Sequence, residues 1–291
     1  MNAQTKLASH TCAASAALAA ALFVLVVPAS AHRIEKHFTV QGRPVISVRN
    51  DARGRIEVKS WRKPEVVVIA NHADKAEVDT EQADNRIEVV THVLNRSASP
   101  AELETNYQIT VPEESELQVH TDSGLVIVER VYGDLTFDTV AADLQLQDVG
   151  NYLVIRTVSG SLVCTRCVGR IDFRSINGHA QLLQPSMDSV RIETTSGNIT
   201  FDGEFRQRGI YILKNYSGLI DVRFADTDSF DLSATSYQGS VENQANLKPD
   251  THPGRHAPSK FVKGLFGTFN QGHAKVELSS FNGTIRIRKR D

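Results

Sequence analysis

The chain is poor in the residue types that usually announce a metal site or a catalytic motif. It contains 3 cysteines, 2 methionines and 1 tryptophan in 291 residues, and 7% of its residues are aromatic. Its 34 acidic and 32 basic residues nearly cancel, so it lacks the basic excess of a nucleic-acid-binding protein. No G-x-S-x-G sequence occurs, so no serine nucleophile elbow is indicated. With 41% hydrophobic residues, the chain still has enough apolar side chains for a folded core.

Long apolar runs are also scarce, and the one near the N-terminus is short. Residues 13–27 are apolar except for Ser15, with Lys6 before them and Pro28-Ala29-Ser30-Ala31 after them. This order predicts a secretory signal peptide over residues 1–31, cleaved after Ala31. Because a membrane-spanning helix needs about 20 apolar residues, we expect no membrane span after cleavage. The sequence therefore predicts an exported protein of the periplasm, the cell surface or the extracellular space.

Two cysteines remain beyond the predicted signal, in Cys164-Thr165-Arg166-Cys167. Because disulfides form in oxidising compartments, the spacing predicts a disulfide between Cys164 and Cys167, with two packed thiols as the alternative. Redox chemistry is disfavoured because the pair follows a strand pattern and does not open a helix in a βαβ setting. With no second cysteine pair, a zinc site is not indicated.

What the chain does contain is a repeated phrase: a small polar residue, Gly, and two apolar residues separated by a polar one. A fixed period of this kind predicts a stack of one small structural unit. With Ala142 filling the second slot, the steps from Gly124 to Gly239 are 18, 18, 18, 19, 21 and 21 residues. We expect a positive φ angle at these glycines, since tight turns often require one. The predicted turn glycines are Gly124, Gly160, Gly178, Gly197, Gly218, Gly239 and Gly283.

A second, looser class of turn is predicted about halfway through each step, and alternating apolar and polar residues between turns predict strands with one buried face. The halfway positions are Gly133, Gly150, Gly169, Asp188, Gly209 and Ser229. We predict an all-β fold, a β-solenoid resembling a parallel β-helix, with two-strand coils of 18–21 residues and a β-rich N-terminal cap. Polar residues before the glycines would then align along one edge. An antiparallel meander of hairpins is the alternative.

The predicted organisation has five parts. The signal peptide, residues 1–31, is followed by an N-terminal β-rich cap over 32–120 and the solenoid repeats over 121–245. Residues 246–264 are predicted to form a flexible loop, and residues 265–291 the closing β-strands. His252 and His256 are interpreted as loop histidines, because Pro253 and Gly254 disfavour the helix that would align them for a metal.

Several segments of the chain together resemble a known family. They are the head motif Val45–Asn50, the Gly54-Arg55-Ile56-Glu57-Val58 segment before Trp61, Tyr107–Pro112, the Ser-Gly repeats and the end Asn282–Ile287. It is a bacterial family of candidate adhesins, an exported β-strand-repeat domain of unknown function. The resemblance implies an exported, β-solenoid-like domain with a surface role. The family usually carries Asp after the turn glycine, and here Leu125, Ser161, Asn198 and Leu219 stand at that place.

We therefore expect a non-catalytic envelope or surface protein, an adhesin or binding scaffold, with no cofactor or metal and with an envelope, glycan or protein partner. The alternative is an enzyme that acts on polysaccharides, which would need two carboxylates at a controlled separation. The candidate outward acids are Asp138, Asp143, Asp148, Asp172, Asp202 and Asp221, with Asp134, Asp143 and Asp148 as a small cluster. Calcium binding is disfavoured because the Gly-Gly-x-Gly-x-Asp repeat is missing.

Overall fold

The computed structural model of the protein describes residues 32–245, 247 and 263–290. The predicted signal peptide and most of the predicted loop, with His252 and His256, lie outside these residues. The described part is built almost entirely of strands, together with a short 3-10 helix at Pro100–Glu102. The strands are β1 (His32–Thr39), β2 (Val45–Trp61), β3 (Glu65–His72), β4 (Ala76–Ala83), β5 (Arg86–Val93), β6 (Thr105–Pro112), β7 (Glu116–Glu129), β8 (Tyr132–Gln147), β9 (Gly150–Thr157), β10 (Leu162–Thr165), β11 (Val168–Ser175), β12 (Ala180–Leu183), β13 (Ser186–Thr194), β14 (Ile199–Asp202), β15 (Ile210–Asn215), β16 (Leu219–Phe224), β17 (Phe230–Ser236), β18 (Ser240–Asn243), β19 (Lys263–Phe269), β20 (Ala274–Ser280) and β21 (Thr284–Lys289).

Successive coils stack in parallel, which confirms the predicted β-solenoid over the meander of hairpins. Each coil contributes one strand to sheet 1 and one to sheet 2, and the long strands β2, β7 and β8 run through both. In spatial order, sheet 1 contains β4, β5, β2, β7, β8, β9, β11, β13, β15, β20, β17 and β19. Sheet 2 contains β1, β3, β6, β2, β7, β8, β10, β12, β14, β16, β21 and β18.

The core lies between the two sheets, because every second residue of most strands points inward. Leu135 and Phe137 enter it from sheet 1, and Leu144 and Leu146 enter it from sheet 2; none is more than 1% exposed. The 18-residue step places Leu144 beside Leu162 in the next coil. Like residues therefore stack on like residues, and one continuous apolar core runs the length of the solenoid.

The spatial order of the coils departs from the order of the chain at the C-terminal end. Strands β20 and β21, predicted to close the stack, lie inside it: β20 pairs with β15 on one side and with β17 on the other. Gly283 consequently lies between Gly218 and Gly239, which the sequence suggested were neighbours. The outermost strand of sheet 1 is β19, which is antiparallel to β17. Coils with the same phrase are interchangeable in pattern, so the repeat does not specify their order.

At the other end, β2 is a full coil of the stack and not part of a separate cap. It pairs in parallel with β7, and Gly54 lies opposite Gly124, as the repeat phrase at residues 53–58 suggests. Beyond it, β1 and β3 pair antiparallel, as do β4 and β5. Antiparallel strands at the N-terminal end of both sheets, and at the C-terminal end of sheet 1, interrupt the parallel register on which another coil could stack. Solenoids need such ends, since an open coil would expose unpaired backbone and core.

In the coils from β7 to β13 the second corner is not formed by the halfway glycines, whereas Gly209 does lie at a turn, where its N–H donates to the Arg206 carbonyl oxygen (2.9 Å). Gly133, Gly150 and Gly169 lie in β8, β9 and β11. The turns come two to four residues before the predicted positions, where the backbone takes the left-handed conformation at non-glycine residues: Arg130, Asp148, Arg166 and Gln184, with φ of 57°, 52°, 51° and 50°. The next residue in each case is buried, so the turn places Val131, Val149, Cys167 and Pro185 in the core.

Candidate functional site

The first corner of the coils carries the predicted glycines, and they stack in one row. The Cβ of a larger residue at Gly160, Gly178 or Gly197 would lie closer than 3.0 Å to the carbonyl oxygen of the preceding coil, a distance that Cβ atoms essentially never show. Gly239 and Gly283 are constrained in the same way. Of the seven predicted glycines, only Gly124 and Gly218 have a positive φ angle. The expectation of positive φ was therefore wrong for the other five, since close packing of coils is what excludes a side chain there.

A row of buried hydroxyl and amide side chains lies behind this corner, three residues before the glycine. The Gly197 N–H donates to Thr194 Oγ1 (3.2 Å), whose hydroxyl donates in turn to the Gly178 carbonyl oxygen (3.2 Å). The same turn is made by Thr157 with Gly160, Ser175 with Gly178, Ser236 with Gly239 and Ser280 with Gly283. Sequence reasoning missed this row, although a Ser, Thr or Asn at the third position before each glycine from Gly124 onward was its visible signal.

The residue after the glycine has a structural role in this chain. Asp143 Oδ1 accepts the Ser161 N–H of the next coil (2.9 Å), and Asn198 Oδ1 accepts the Leu219 N–H (2.9 Å). His179 Nδ1 accepts the Asn198 N–H in the same way. An acceptor at this position therefore caps a backbone donor of the adjacent coil. This contact explains why an acidic or amide residue is found at this position, and no bound ligand is needed to explain it.

A ridge of exposed or half-buried apolar side chains runs along the outside of the first corner, two residues before each glycine. We call the following set the apolar ridge, in spatial order: Val140, Val158, Ile176, Tyr216, Phe281 and Tyr237, with Thr195 as a polar member between Ile176 and Tyr216. Tyr216 and Phe281 stack with ring centroids 4.6 Å apart, and Tyr237 and Phe281 with centroids 6.1 Å apart. Ile176, Tyr216 and Tyr237 are each 52% exposed. At about 4.8 Å per strand, the ridge is about 29 Å long.

Two adjoining concavities, of about 670 and 380 Å³, lie on the outer side of sheet 1 and meet along β8. The larger one, called here the sheet 1 groove, is lined by Asp134, Tyr152, Arg170, Asp172, Asp188 and Arg191, among others. Asp134, Tyr152 and Arg170 lie side by side in register on β8, β9 and β11. The Tyr152 ring is 45% exposed in this polar setting.

Most charges of the sheet 1 groove are already paired. Arg174 donates to both carboxylate oxygens of Asp172 (3.1 and 3.3 Å), and Arg191 pairs with Glu193 at 3.2 Å. Asp134 accepts a hydrogen bond from the Asn151 amide and lies 3.5 Å from Arg43, while Asp188 pairs with Arg206. Arg170 is different, because its side chain makes no hydrogen bond or ion pair with any described residue.

Of the acids considered for the enzyme alternative, Asp134 and Asp172 both line the sheet 1 groove, and Asp202 and Asp221 share Arg223 as an ion-pair partner. The small cluster of Asp134, Asp143 and Asp148 is not brought together. Asp134 lies in the sheet 1 groove, Asp143 caps the first corner, and Asp148 lies at the second corner, where Arg166 holds it with two hydrogen bonds of 2.7 Å. The Arg166 guanidinium lowers the pKa of the Asp148 carboxyl. Within the described ranges, no three His, Cys, Asp or Glu side chains converge as a metal ligand set.

The basic C-terminal strand is neutralised by acids of neighbouring coils. Arg288 donates to both oxygens of the buried Asp221 (2.6 and 3.1 Å), and Arg290 donates to Asp202 at 2.9 Å. Arg286 pairs with Glu242 and Lys289 with Asp226. This strand therefore joins coils and does not form a free basic patch.

Cys164 and Cys167 form a disulfide in the structure, with their Cα atoms 6.0 Å apart. Cys164 is an inward residue of β10, and Cys167 is the buried residue of the following second corner. The bond therefore fixes the end of a strand to the turn that follows it. Both sulfurs lie in the core, away from the groove and the ridge.

Comparisons with known proteins agree with a repeated β-fold. Similar solved structures include a candidate cell adhesion protein from Clostridium sporogenes ATCC 15579, with 9% identity, TM-score 0.29, and coverage of 89% of this chain and 100% of that one. Others are a candidate adhesin from Bacteroides fragilis NCTC 9343 (13% identity, TM-score 0.45, coverage 88% and 97%) and a candidate lipid-binding protein from Parabacteroides distasonis ATCC 8503 (11%, 0.41, 89% and 97%).

No curated protein matches the chain. The family model described as Toastrack DUF4097 matches residues 46–288, which run from the head motif in β2 to the last strand, β21. This match spans most of the chain and includes every coil described above. The chain belongs to the Toastrack DUF4097 family.

Proposed function

We propose that the protein is a non-catalytic binding scaffold of the cell envelope or cell surface, an adhesin-type module that is exported through its N-terminal signal. Its ligand is an extended glycan that lies along the solenoid axis on the outer face of sheet 1. The apolar ridge, on a different side of the molecule, offers a second contact surface for a partner of the envelope. Among the described residues, no helix is long and apolar enough to cross a membrane.

The observation that carries this proposal is the pair of adjoining concavities on sheet 1. Their lining residues lie in rows parallel to the axis, because strands β8, β9, β11 and β13 pair in parallel and nearly in register. A surface that repeats at the strand spacing of about 4.8 Å suits a polymer whose own units repeat along one direction. The exposed Tyr152 ring beside carboxylate and guanidinium groups offers both an apolar contact and hydrogen bonds to sugar hydroxyls.

The alternative, a polysaccharide-acting enzyme, places different demands on the same groove. Glycoside hydrolysis uses one carboxyl group as an acid and a second as a base or nucleophile. Here Asp172 is held by Arg174, and Asp134 is held by Asn151 and Arg43, so neither carboxyl group stands free in the groove. We therefore assign them to hydroxyl recognition, and turnover is the measurement that separates the two functions.

A panel of immobilised bacterial and plant glycans tests the proposal, with wild-type protein, Tyr152→Ala in the groove and Tyr237→Ala on the ridge. We expect saturable wild-type binding, no released product, and loss of binding in Tyr152→Ala alone. Release of shortened glycan would instead support the enzyme. Loss of binding in Tyr237→Ala alone would move the glycan site to the ridge, and the absence of any glycan binding would contradict the proposal.

A further inference from the structure

We propose that the sheet 1 groove binds a saccharide that carries a carboxylate, such as a uronic acid unit, and that Arg170 recognises this group beside Tyr152. This inference rests on the proposed glycan-binding function and narrows its ligand to anionic saccharides. It assigns Arg170 as a binding residue, with Tyr152 as the apolar contact for the sugar ring.

The first argument is the balance of charge in the groove. Asp134, Asp172, Asp188 and Arg191 each have a charged partner within the protein, at 3.0 to 3.5 Å. Arg170 has none among the described residues, although it lies at the centre of the same lining. The groove therefore offers one uncommitted cation, whose five donors match a carboxylate in planar, bidentate geometry.

The second argument is the local backbone around Arg170. The register between β11 and β13 shifts between Gly169 and Arg170, so Asp188 forms an extra residue opposite this point. Bulges of this kind re-aim side chains and are frequent beside functional sites. In the adjacent strand Asn151 has φ of 111°, an unfavourable value for a residue with a Cβ, and its amide fixes Asp134. Strain of this kind clusters at binding sites.

The third argument favours a saccharide over a peptide. Extended peptides usually bind by adding a strand to a free sheet edge, through backbone hydrogen bonds. The floor of this groove is the outer face of central strands of sheet 1, and β11 there is paired with β9 on one side and with β13 on the other. No backbone edge is available there, so recognition depends on side chains. The carboxylates of Asp134 and Asp172, although each has a partner within the protein, keep lone pairs that can accept hydrogen bonds from sugar hydroxyls.

The experiment compares two forms of one probe by calorimetry: oligogalacturonate and its methyl ester, which has the same sugar backbone without the charge. The proteins are wild type, Arg170→Gln, and Arg96→Gln, which removes the same charge in a loop outside the groove. We expect the acid form to bind wild type more tightly than the ester. Arg170→Gln should weaken binding of the acid form by about tenfold and leave the ester unchanged, since one charge-assisted contact is lost. Arg96→Gln should change neither by more than about twofold.

Four results would overturn the assignment. Equal binding of acid and ester, or an unchanged affinity in Arg170→Gln, would leave glycan binding intact but remove the anionic subsite. Equal competition by polyglutamate of the same charge would show recognition of charge alone and exclude the saccharide. If neither probe nor any glycan of the panel binds, the proposed function fails together with this inference. Unchanged circular dichroism and melting temperature of Arg170→Gln, whose side chain is exposed, would exclude misfolding as the cause.

Discussion

The Gly178 carbonyl oxygen points at the Cα of Gly197 in the next coil, too close for any Cβ to lie between them. The same approach recurs between Gly160 and Gly178, and between Gly218 and Gly283. Adjacent coils thus touch through backbone at the first corner, and the glycines permit this contact. Their requirement comes from the neighbouring coil and not from the local turn.

Gly197→Ala should therefore destabilise the protein by about 3 kcal/mol, because the added methyl group must push two coils apart. Chemical denaturation followed by circular dichroism would measure the loss. Gly42→Ala is the matched control, since Gly42 has φ of 59° but open space around its Cα. It should cost only about 1 kcal/mol, from backbone strain alone. An unchanged denaturation midpoint for Gly197→Ala would show that the coils do not pack this closely.

Thr194→Val should lower the free energy of unfolding by about 2 kcal/mol, because it leaves the buried Gly197 N–H without an acceptor. Valine has nearly the shape of threonine, so packing is preserved. Thr200→Val, on the outer side of β14, should change stability by less than about 0.5 kcal/mol. Thr194→Ser keeps the hydroxyl and should retain most of the stability. Equal effects of the two valine variants would contradict a structural role for the buried hydroxyl row.

The Cys164–Cys167 disulfide should resist reduction in the folded protein, because both cysteines are fully buried. The protein is treated with dithiothreitol, alkylated, and digested for mass spectrometry. Free thiols should appear in the peptide that contains the two cysteines only when denaturant is present during the reduction. Reduction should cost about 2 kcal/mol of stability, a modest effect because the closed loop is short. Rapid labelling of both cysteines under native conditions would contradict their burial.

The attachment of the edge strand β1 should depend on pH. Hydrogen bonds with Glu65 and then Glu35 raise the pKa of His37, so this contact stabilises the folded state below about pH 6.5 and is lost as pH rises through the raised pKa. Arg33, and then His37, lower the pKa of Glu35, so its contribution is present above about pH 4.5 and is lost as pH falls through the lowered value. The strand should be held best between these limits.

Amide hydrogen exchange, corrected for intrinsic rates, would measure this attachment. Protection of β1 should be greater at about pH 5.5 than at about pH 8.5. His37→Gln should abolish the difference, whereas His92→Gln, which alters a histidine paired with Asp79, should preserve it. Equal protection of wild-type β1 at both pH values would show that His37 does not hold the strand.

The features that repeat within one coil could be predicted from residues alone. Apolar alternation gave the strands and the buried faces, and the period placed Leu144 beside Leu162. The recurring glycine gave the first corner. The second corner was placed wrongly because Arg130, Asp148 and Gln184 adopt the left-handed backbone conformation, which is usually found at glycine. The groove was not visible at all, since Tyr152 and Arg170 are 18 residues apart and only their register joins them.

The sequence by itself determined the two-strand coil, since period-2 alternation and a fixed turn spacing depend only on neighbouring residues. Only the tertiary structure decided the order in which coils stack. The insertion of β20 between β15 and β17 satisfies the same apolar pattern as the order of the chain would, so local pattern cannot distinguish them. The tertiary structure also imposes glycine at position 197, because the atom that excludes a side chain there belongs to another coil.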